Sequence, residues 1–193
     1  MNKKIILVMG IPGSGKTTFA NKLSTMMSGI PVICTDIVKA AYEDKSPVIL
    51  SKVSHTAWEL IGDCTDENIV KGYQVFSKEL FKFAYNLAKK MLNTYNTVII
   101  EGLGIDVSVL DDLPEYVIKI FLVNQNKEEA YQKKLIFRNS KINNWKENEK
   151  ALCCIEKYIE TSLVEYDDCF KCYISEIDEM IIKLANIILE EFI

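Results

Sequence analysis

Four places in this chain carry residues whose types and spacing suit one chemistry. The most specific is Gly10-Ile11-Pro12-Gly13-Ser14-Gly15-Lys16-Thr17, which fits the G-x-x-x-x-G-K-[ST] pattern of a phosphate-binding loop. Glycines let the backbone turn tightly and bring its N–H groups against phosphate oxygens. A helix that starts there adds unpaired N–H groups and a positive dipole end. Lys16 would supply charge to the β- and γ-phosphates, and the Thr17 hydroxyl a ligand to magnesium. Gly10, Gly13, Ser14, Gly15, Lys16, Thr17 and Thr18 are therefore expected to hold ATP with Mg2+. The other three places are single residues. Asp36 and Glu101 each follow a short apolar run, and Arg138 is the only arginine among 23 basic side chains. A chain that otherwise relies on lysine uses arginine once, and only arginine offers a planar, permanently charged fork for phosphate. Arg138 is thus expected to clamp the transferring phosphoryl group.

These residues need particular elements to place them. Lys4-Ile5-Ile6-Leu7-Val8-Met9 is a β-branched apolar run of strand type directly before the glycines, and Phe19 and Leu23 share a helical face directly after them. Strand, glycine loop and helix is the context the motif requires. Pro31-Val32-Ile33-Cys34 reads as a second strand, with Thr35 or Asp36 as the cap of the following helix. A short helix is expected over Ser54–Leu60, with His55 at the surface or in packing and Trp58 in the core. A long helix is expected from about Asp66 to Asn93, its aromatic stripe serving packing. Asn96–Gly102 reads as a third strand closed by Glu101, and Val117–Val123 as a fourth. A polar helix over Lys127–Phe137, a polar stretch over Asn139–Asn148, a helix from Glu149 to about Tyr166, a strand at Cys172–Ile174 and a helix capped by Asp178 complete the chain. Five strands alternating with helices predict one α/β domain over residues 1–193 with a parallel sheet. Right-handed crossovers would then gather all strand ends, with Asp36 and Glu101, on one ligand edge.

Composition narrows the partners. With 49% hydrophobic and 26% charged residues and a net charge of −4, the chain is ordinary globular protein without a basic block for an extended nucleic-acid surface. No run is long and uncharged enough to span a membrane, and the apolar N-terminus leads straight into the glycine loop rather than forming a leader. Cys169-Phe170-Lys171-Cys172 has the spacing of a metal pair. No second pair or histidine cluster completes a zinc site, so the six cysteines read as reduced thiols of a cytoplasmic protein.

From about Ile5 to Tyr166 the sequence resembles the P-loop small-molecule kinases, and within them the 2-phosphoglycerate kinase family. Besides the phosphate loop, four stretches carry the resemblance: Thr35-Asp36 before a helix; Leu50, Ser54, Ala57 and Trp58 of a Leu-x-x-Ser-Ser-Tyr-x-Ala-Trp segment; Val98–Gly102, a strand ending in Glu-Gly; and Lys134 and Arg138 on basic positions of a helix. The resemblance implies a nucleoside-monophosphate-kinase-like three-layer fold with helical lid and acceptor-covering parts near residues 44–93 and 126–150. It also implies transfer of the γ-phosphoryl group of ATP to a small molecule. Departures fall on the acceptor side. His55 replaces a tyrosine, Gly104 a histidine, Tyr131 and Gln132 a His-Arg pair, and Cys153 and Glu156 an arginine and a glutamine. The nucleotide half of the pattern is intact and the acceptor half eroded, which implies an acceptor less charged than phosphoglycerate.

In this reading Lys16, Asp36, Glu101 and Arg138 are the catalytic set. Asp36 orients or deprotonates the acceptor, and Glu101 supports the magnesium ion or the acceptor. Two alternatives use the same phosphate loop: a nucleoside or nucleotide kinase or toxin-like phosphotransferase, and a non-catalytic nucleotide-dependent switch. Donor base preference and oligomeric state leave no readable mark.

Overall fold

Five parallel strands order the chain as β2-β3-β1-β4-β5 in a computed structural model that describes residues 3–11, 13–110, 112–123, 145–163, 166 and 169–190. The strands are β1 (Lys4–Met9), β2 (Val32–Cys34), β3 (Thr97–Glu101), β4 (Val117–Val123) and β5 (Cys169–Tyr173). The helices are α1 (Lys16–Met26), α2 (Thr35–Tyr42), α3 (Pro47–Leu50), α4 (Asp66–Met91), α5 (Trp145–Ser162) and α6 (Ile177–Glu190). Short 3-10 turns lie at Glu43–Lys45, Ala57–Leu60, Val107–Val109 and Ile174–Glu176.

The continuous apolar strands reflect burial on both faces of a parallel sheet. Alternate residues of β1 divide between two cores: Ile5, Leu7 and Met9 face one, and Ile6 and Val8 the other. The first core takes Tyr73, Phe76, Leu80 and Ala84 of α4 with Ile155 and Ile159 of α5. The second takes Phe19, Ala20 and Leu23 of α1 with Ile181, Leu184 and Ile188 of α6. The result is the helix–sheet–helix arrangement expected from the alternation of strands and helices.

The order β2-β3-β1 decides where the chemistry lies. Cys34 pairs in register with Glu101, and Glu101 with Val8. The C-terminal ends of three neighbouring strands therefore place Glu101 beside both the start of α2, at Thr35 and Asp36, and the glycine loop.

Several expected boundaries move. β5 starts at Cys169 rather than Cys172, so the two cysteines stand three apart on one strand and face opposite sides. Cys169 packs in the first core and Cys172 in the second. That placement sets both thiols apart as packing groups. α5 begins at Trp145, inside the stretch expected to be irregular, and the segment 54–60 is a 3-10 turn over Ala57–Leu60 rather than a helix from Ser54. α2 is capped at Cys34 without a side-chain bond, so neither Thr35 nor Asp36 is the cap. Asp178 is likewise inside the first turn of α6, paired with Lys22 at 2.7 Å. Val75 departs from the expected packing stripe of α4 and is 39% exposed.

The Ala57–Leu60 turn lies flat on α4 because Gly72 has no side chain there. A Cβ on Gly72 would meet the carbonyl carbon and oxygen of Ala57 and the nitrogen of Trp58, each at 2.5 Å. These are backbone atoms and cannot rotate away. Gly72→Ala is expected to destabilise the fold by about 1–3 kcal/mol through overpacking. At this chain length that lowers Tm by roughly 2–4 °C per kcal/mol in thermal unfolding. An unchanged Tm would show that the turn is free to lift.

Candidate active site

The loop between β1 and α1 is built to face an anion. Gly15 caps α1 with φ 85°, in the left-handed region, and makes no side-chain cap bond. The first bond into the helix from this cap runs from the Phe19 N–H to the Gly15 carbonyl at 2.8 Å. The earlier N–H groups have no partner within the helix and are directed at whatever sits before it. Gly10 is needed for space. A Cβ there would lie 2.7 Å from the Leu122 carbonyl oxygen and 2.7 Å from Ser14 Oγ. Ser14 itself is fully buried, and its Oγ has no hydrogen-bond partner among the described residues.

Lys16 is the first residue of α1 and reaches back along the loop, its Nζ donating to the Ile11 carbonyl at 2.7 Å. Burial pushes its pKa down to about 8, against the opposing pull of Glu101, Asp36 and Cys34. The sign has a consequence. Folding disfavours the ammonium, so this residue's contribution to stability grows as pH rises from about 8 towards the ordinary lysine value of 10.5. A bound polyphosphate favours the ammonium and reverses the preference. Triphosphate binding above pH 8 is therefore expected to take up a proton. Affinity should fall by up to about tenfold per pH unit between pH 8 and 10. Calorimetry in buffers of different ionisation enthalpy at pH 8.5 measures the uptake. A binding enthalpy independent of buffer would contradict it.

The acidic side faces this lysine. Glu101 ends β3 and is only 2% exposed. Its Oε1 accepts from the Thr17 hydroxyl at 3.2 Å, joining the helix start to the strand end. Burial together with the neighbouring Glu101 carboxylate pushes the Cys34 thiol pKa up. Asp36 is exposed in the first turn of α2, where a carboxylate is favoured by the helix dipole. Thr35 is fully buried under Gly102, where a Cβ would come within 1.7 Å of Thr35 Oγ1. The Glu-Gly pair thus puts the acid in the site and uses the glycine to let β3 leave closely over α2.

Gly13, Lys16, Thr17, Asp36 and Glu101 line one cleft of about 240 Å³. Gly10, Ser14 and Gly15 form the loop behind it, and Thr18 is exposed on α1 outside the lining. Arg138 lies outside the described residues, as do Tyr131, Gln132 and Lys134. The rest of the lining was not foreseen. It brings Lys39 of α2, Val53, Ser54 and His55 of the segment before the Ala57 turn, Phe76 of α4, and Leu103 and Gly104 after β3. His55, expected at the surface or in packing, lines the cleft. Lys39 had a legible signal, since it stands one helical turn after Asp36 on the same face. Gly104 occupies the wall without a side chain, because Leu80 Cδ2 fills that volume 2.5 Å from where a Cβ would be. Cys153 is exposed and Glu156 buried on α5, and neither lines the cleft.

The donor set suits a hard divalent cation. The Thr17 hydroxyl and the Glu101 and Asp36 carboxylates are all oxygen ligands on one cleft. Among the described residues, no three His, Cys, Asp or Glu side chains are grouped to cage a metal unaided. That matches magnesium, which takes one or two carboxylates and completes its shell with phosphate and water.

No known family pattern matches the chain. Among curated proteins it is similar to mevalonate-3-phosphate 5-kinase of Thermoplasma acidophilum, 24% identical over 115 residues, covering 58% of this chain and 57% of that protein. It is also similar to 2-phosphoglycerate kinase of Methanocaldococcus jannaschii, 29% identical over 133 residues, covering 64% of this chain and 42% of that one. The chain thus spans about half the length of the curated relatives it matches. Among solved structures it resembles shikimate kinase from Acinetobacter baumannii in complex with shikimate. The TM-score is 0.56 at 16% identity, over 98% of this chain and 94% of that one. The fold is that of the P-loop kinases, with a five-stranded parallel sheet between helices.

Proposed function

We propose that this chain is an ATP- and magnesium-dependent phosphotransferase that moves the γ-phosphoryl group onto a small-molecule acceptor. The observation that carries this reading is the single cleft lined together by the phosphate-loop residues Lys16 and Thr17, the carboxylates Asp36 and Glu101, and side chains from outside the loop. A switch needs only the loop; a transferase also needs lining for an acceptor in the same cleft. The similarity to two proteins named as kinases of small phosphorylated hydroxy compounds supports the same reading.

The roles follow from position. Backbone N–H groups of Gly13, Gly15 and the start of α1 hold the phosphates, and Lys16 swings from the Ile11 carbonyl to the β- and γ-oxygens. Thr17, with Glu101 bonded to it, would hold magnesium, which when bound neutralises charge on the phosphate oxygens. Asp36, exposed at the cleft and free of a capping bond, orients the acceptor hydroxyl and accepts its proton. Arg138 enters on its chemistry alone, as a clamp over the phosphates. Catalysis is then positioning and charge stabilisation. Among the described residues no helix is long and apolar enough to cross a membrane. The reading places the protein in the cytoplasm, with ATP and the acceptor as its partners.

ADP release from ATP and Mg2+ against a panel tests it: 2-phosphoglycerate and mevalonate 3-phosphate first, then nucleosides, nucleoside monophosphates, sugars and shikimate. Acceptor-dependent release is expected with a small hydroxy compound. Tight ATP binding with no stimulated turnover by any acceptor would leave the switch reading instead.

A further inference from the structure

A second group of reactive side chains lies where α5 meets the start of α4, and none of it lines the cleft. Cys64 stands directly before Thr65, whose hydroxyl caps α4 by accepting from the Asn68 N–H at 3.2 Å. Cys154 is on α5, one turn after Lys150 on the same helix face. Two contacts bracket the pair. Lys150 Nζ donates to the Cys64 carbonyl at 2.9 Å, and Cys154 Sγ donates to the Asp66 carbonyl at 3.6 Å. Lys150 also pairs with Asp66 Oδ1 at 3.0 Å, which closes the group. Residues 64 and 66 are thereby laid along residues 150 and 154, and both half-buried thiols pack against the same core.

The other four thiols are placed differently. Cys34 lines the cleft, Cys169 and Cys172 sit in opposite cores, and Cys153 is exposed on α5. Burial pushes both Cys64 and Cys154 above the ordinary thiol value, and the Cys64 thiol adds to the shift of Cys154. Lys150 opposes the rise at both, and Lys157 at Cys154; Asp66 adds to it at both, and Glu147 at Cys64. A small thiolate fraction makes exchange slow at neutral pH. Asp66 and Lys150 are 77% and 48% exposed, so a small oxidant reaches the group from solvent.

α5 also touches the phosphate loop. Leu152 packs on buried Ile11, with Leu103 against them. The Ile11 carbonyl is the group that holds Lys16. A triphosphate draws Lys16 off that carbonyl, so the loop yields beside Leu152. Fastening α5 to α4 resists the change.

We propose that Cys64 and Cys154 are a redox modification site: a small disulfide oxidant joins them in an intramolecular disulfide that clamps α5 to the start of α4 and weakens triphosphate binding. This rests on nucleotide binding by the phosphate loop and not on phosphoryl transfer. With oxidised glutathione, one cysteine thiolate attacks the S–S bond and expels one glutathione thiolate, leaving a mixed disulfide. The second cysteine thiolate attacks the protein sulfur of that bond and expels the other. One S–S bond breaks for the one gained by the protein, and the two thiol protons end on the two glutathiones. The protein loses two electrons and the glutathione disulfide gains them.

The full chain is reduced, freed of reductant and held with oxidised glutathione at mildly alkaline pH. Peptide mapping is expected to show a Cys64–Cys154 link in a chain lighter by two hydrogens, reopened by dithiothreitol. Closing so long a loop in the unfolded chain should raise Tm by at least about 5 °C. Binding of a non-hydrolysable ATP analogue with Mg2+ should weaken at least about fivefold. Both changes should vanish in Cys64→Ser and Cys154→Ser and persist in Cys153→Ser. Glutathione adducts without the link overturn the site, as does a link through Cys153 or between chains. A mapped link that leaves affinity unchanged overturns the clamp on the loop. So does a loss of affinity that survives in Cys64→Ser, which would belong to Cys34 in the cleft. Where a serine variant does not fold, mapping on the native chain decides alone. ADP formation is not read, so failure of every acceptor would remove the phosphotransferase reading and leave this result intact.

Discussion

Lys16→Met is expected to lower kcat by on the order of a thousandfold or more, the scale of losing a cation that contacts the transferring phosphoryl group. The effect should fall on kcat and kcat/KM together, because the charge is needed most where negative charge gathers in the transition state. Stability should move the other way or not at all. In the free protein the ammonium is held at a cost, its pKa down at about 8, and donates to the Ile11 carbonyl. Methionine keeps the length of the side chain and removes the desolvated charge, leaving one carbonyl to be satisfied by water. Kinetics and a thermal melt on the same variant therefore separate chemistry from folding. Full turnover with an unchanged melt would sink the assignment of Lys16. Lost turnover with a strongly lowered Tm would assign it to the fold.

Much of the nucleotide side was legible because its determinants are local. β1, the glycine loop and α1 are one continuous stretch, and the glycines at 10 and 15 are required by contacts and backbone angles within or beside that stretch. Asp36 and Glu101 were legible for a different reason. Each follows an apolar run, and parallel strands bring all such ends to one edge, so reading the strands was enough to bring the acids together. The rest of the cleft lining was not legible in the same way. His55 comes from a turn between Leu50 and Ala57, and only the docking of the following turn on α4 at Gly72 sets that segment in the cleft lining. A glycine inside a helical pattern is an ambiguous mark, and nothing near it in sequence names Ala57 as the partner. The cap of α2 was misread because Thr35 has a capping residue type, yet its side chain is needed under Gly102, a contact 67 positions away along the chain. Cys169 and Cys172 show how little spacing says without an element. On a helix three residues apart they would share a face, but on β5 they fall on opposite faces.

Glu101→Gln is expected to raise the magnesium requirement by about 10- to 100-fold and to reduce kcat at limiting magnesium, the usual scale for a group that orients a metal ligand. The substitution is close to isosteric, and the amide oxygen can still accept from the Thr17 hydroxyl, now 3.2 Å away. What is lost is the charge. Glu101 is the strongest of the three groups that hold up the pKa of Lys16 against burial, ahead of Asp36 and Cys34. Removing that charge should drive Lys16 below 8, so that the pH above which triphosphate binding takes up a proton moves down as well. Asp36→Asn makes the contrast. It removes the weaker of the two carboxylate influences on Lys16 and the proposed proton acceptor, so kcat should fall with little change in the magnesium requirement. Two titrations, turnover against Mg2+ and nucleotide affinity against pH, therefore distinguish the carboxylates. If both variants shift the magnesium curve equally and leave the pH profile in place, the division of labour between Glu101 and Asp36 is wrong. The two acids would then act as one undivided patch of negative charge at the strand ends.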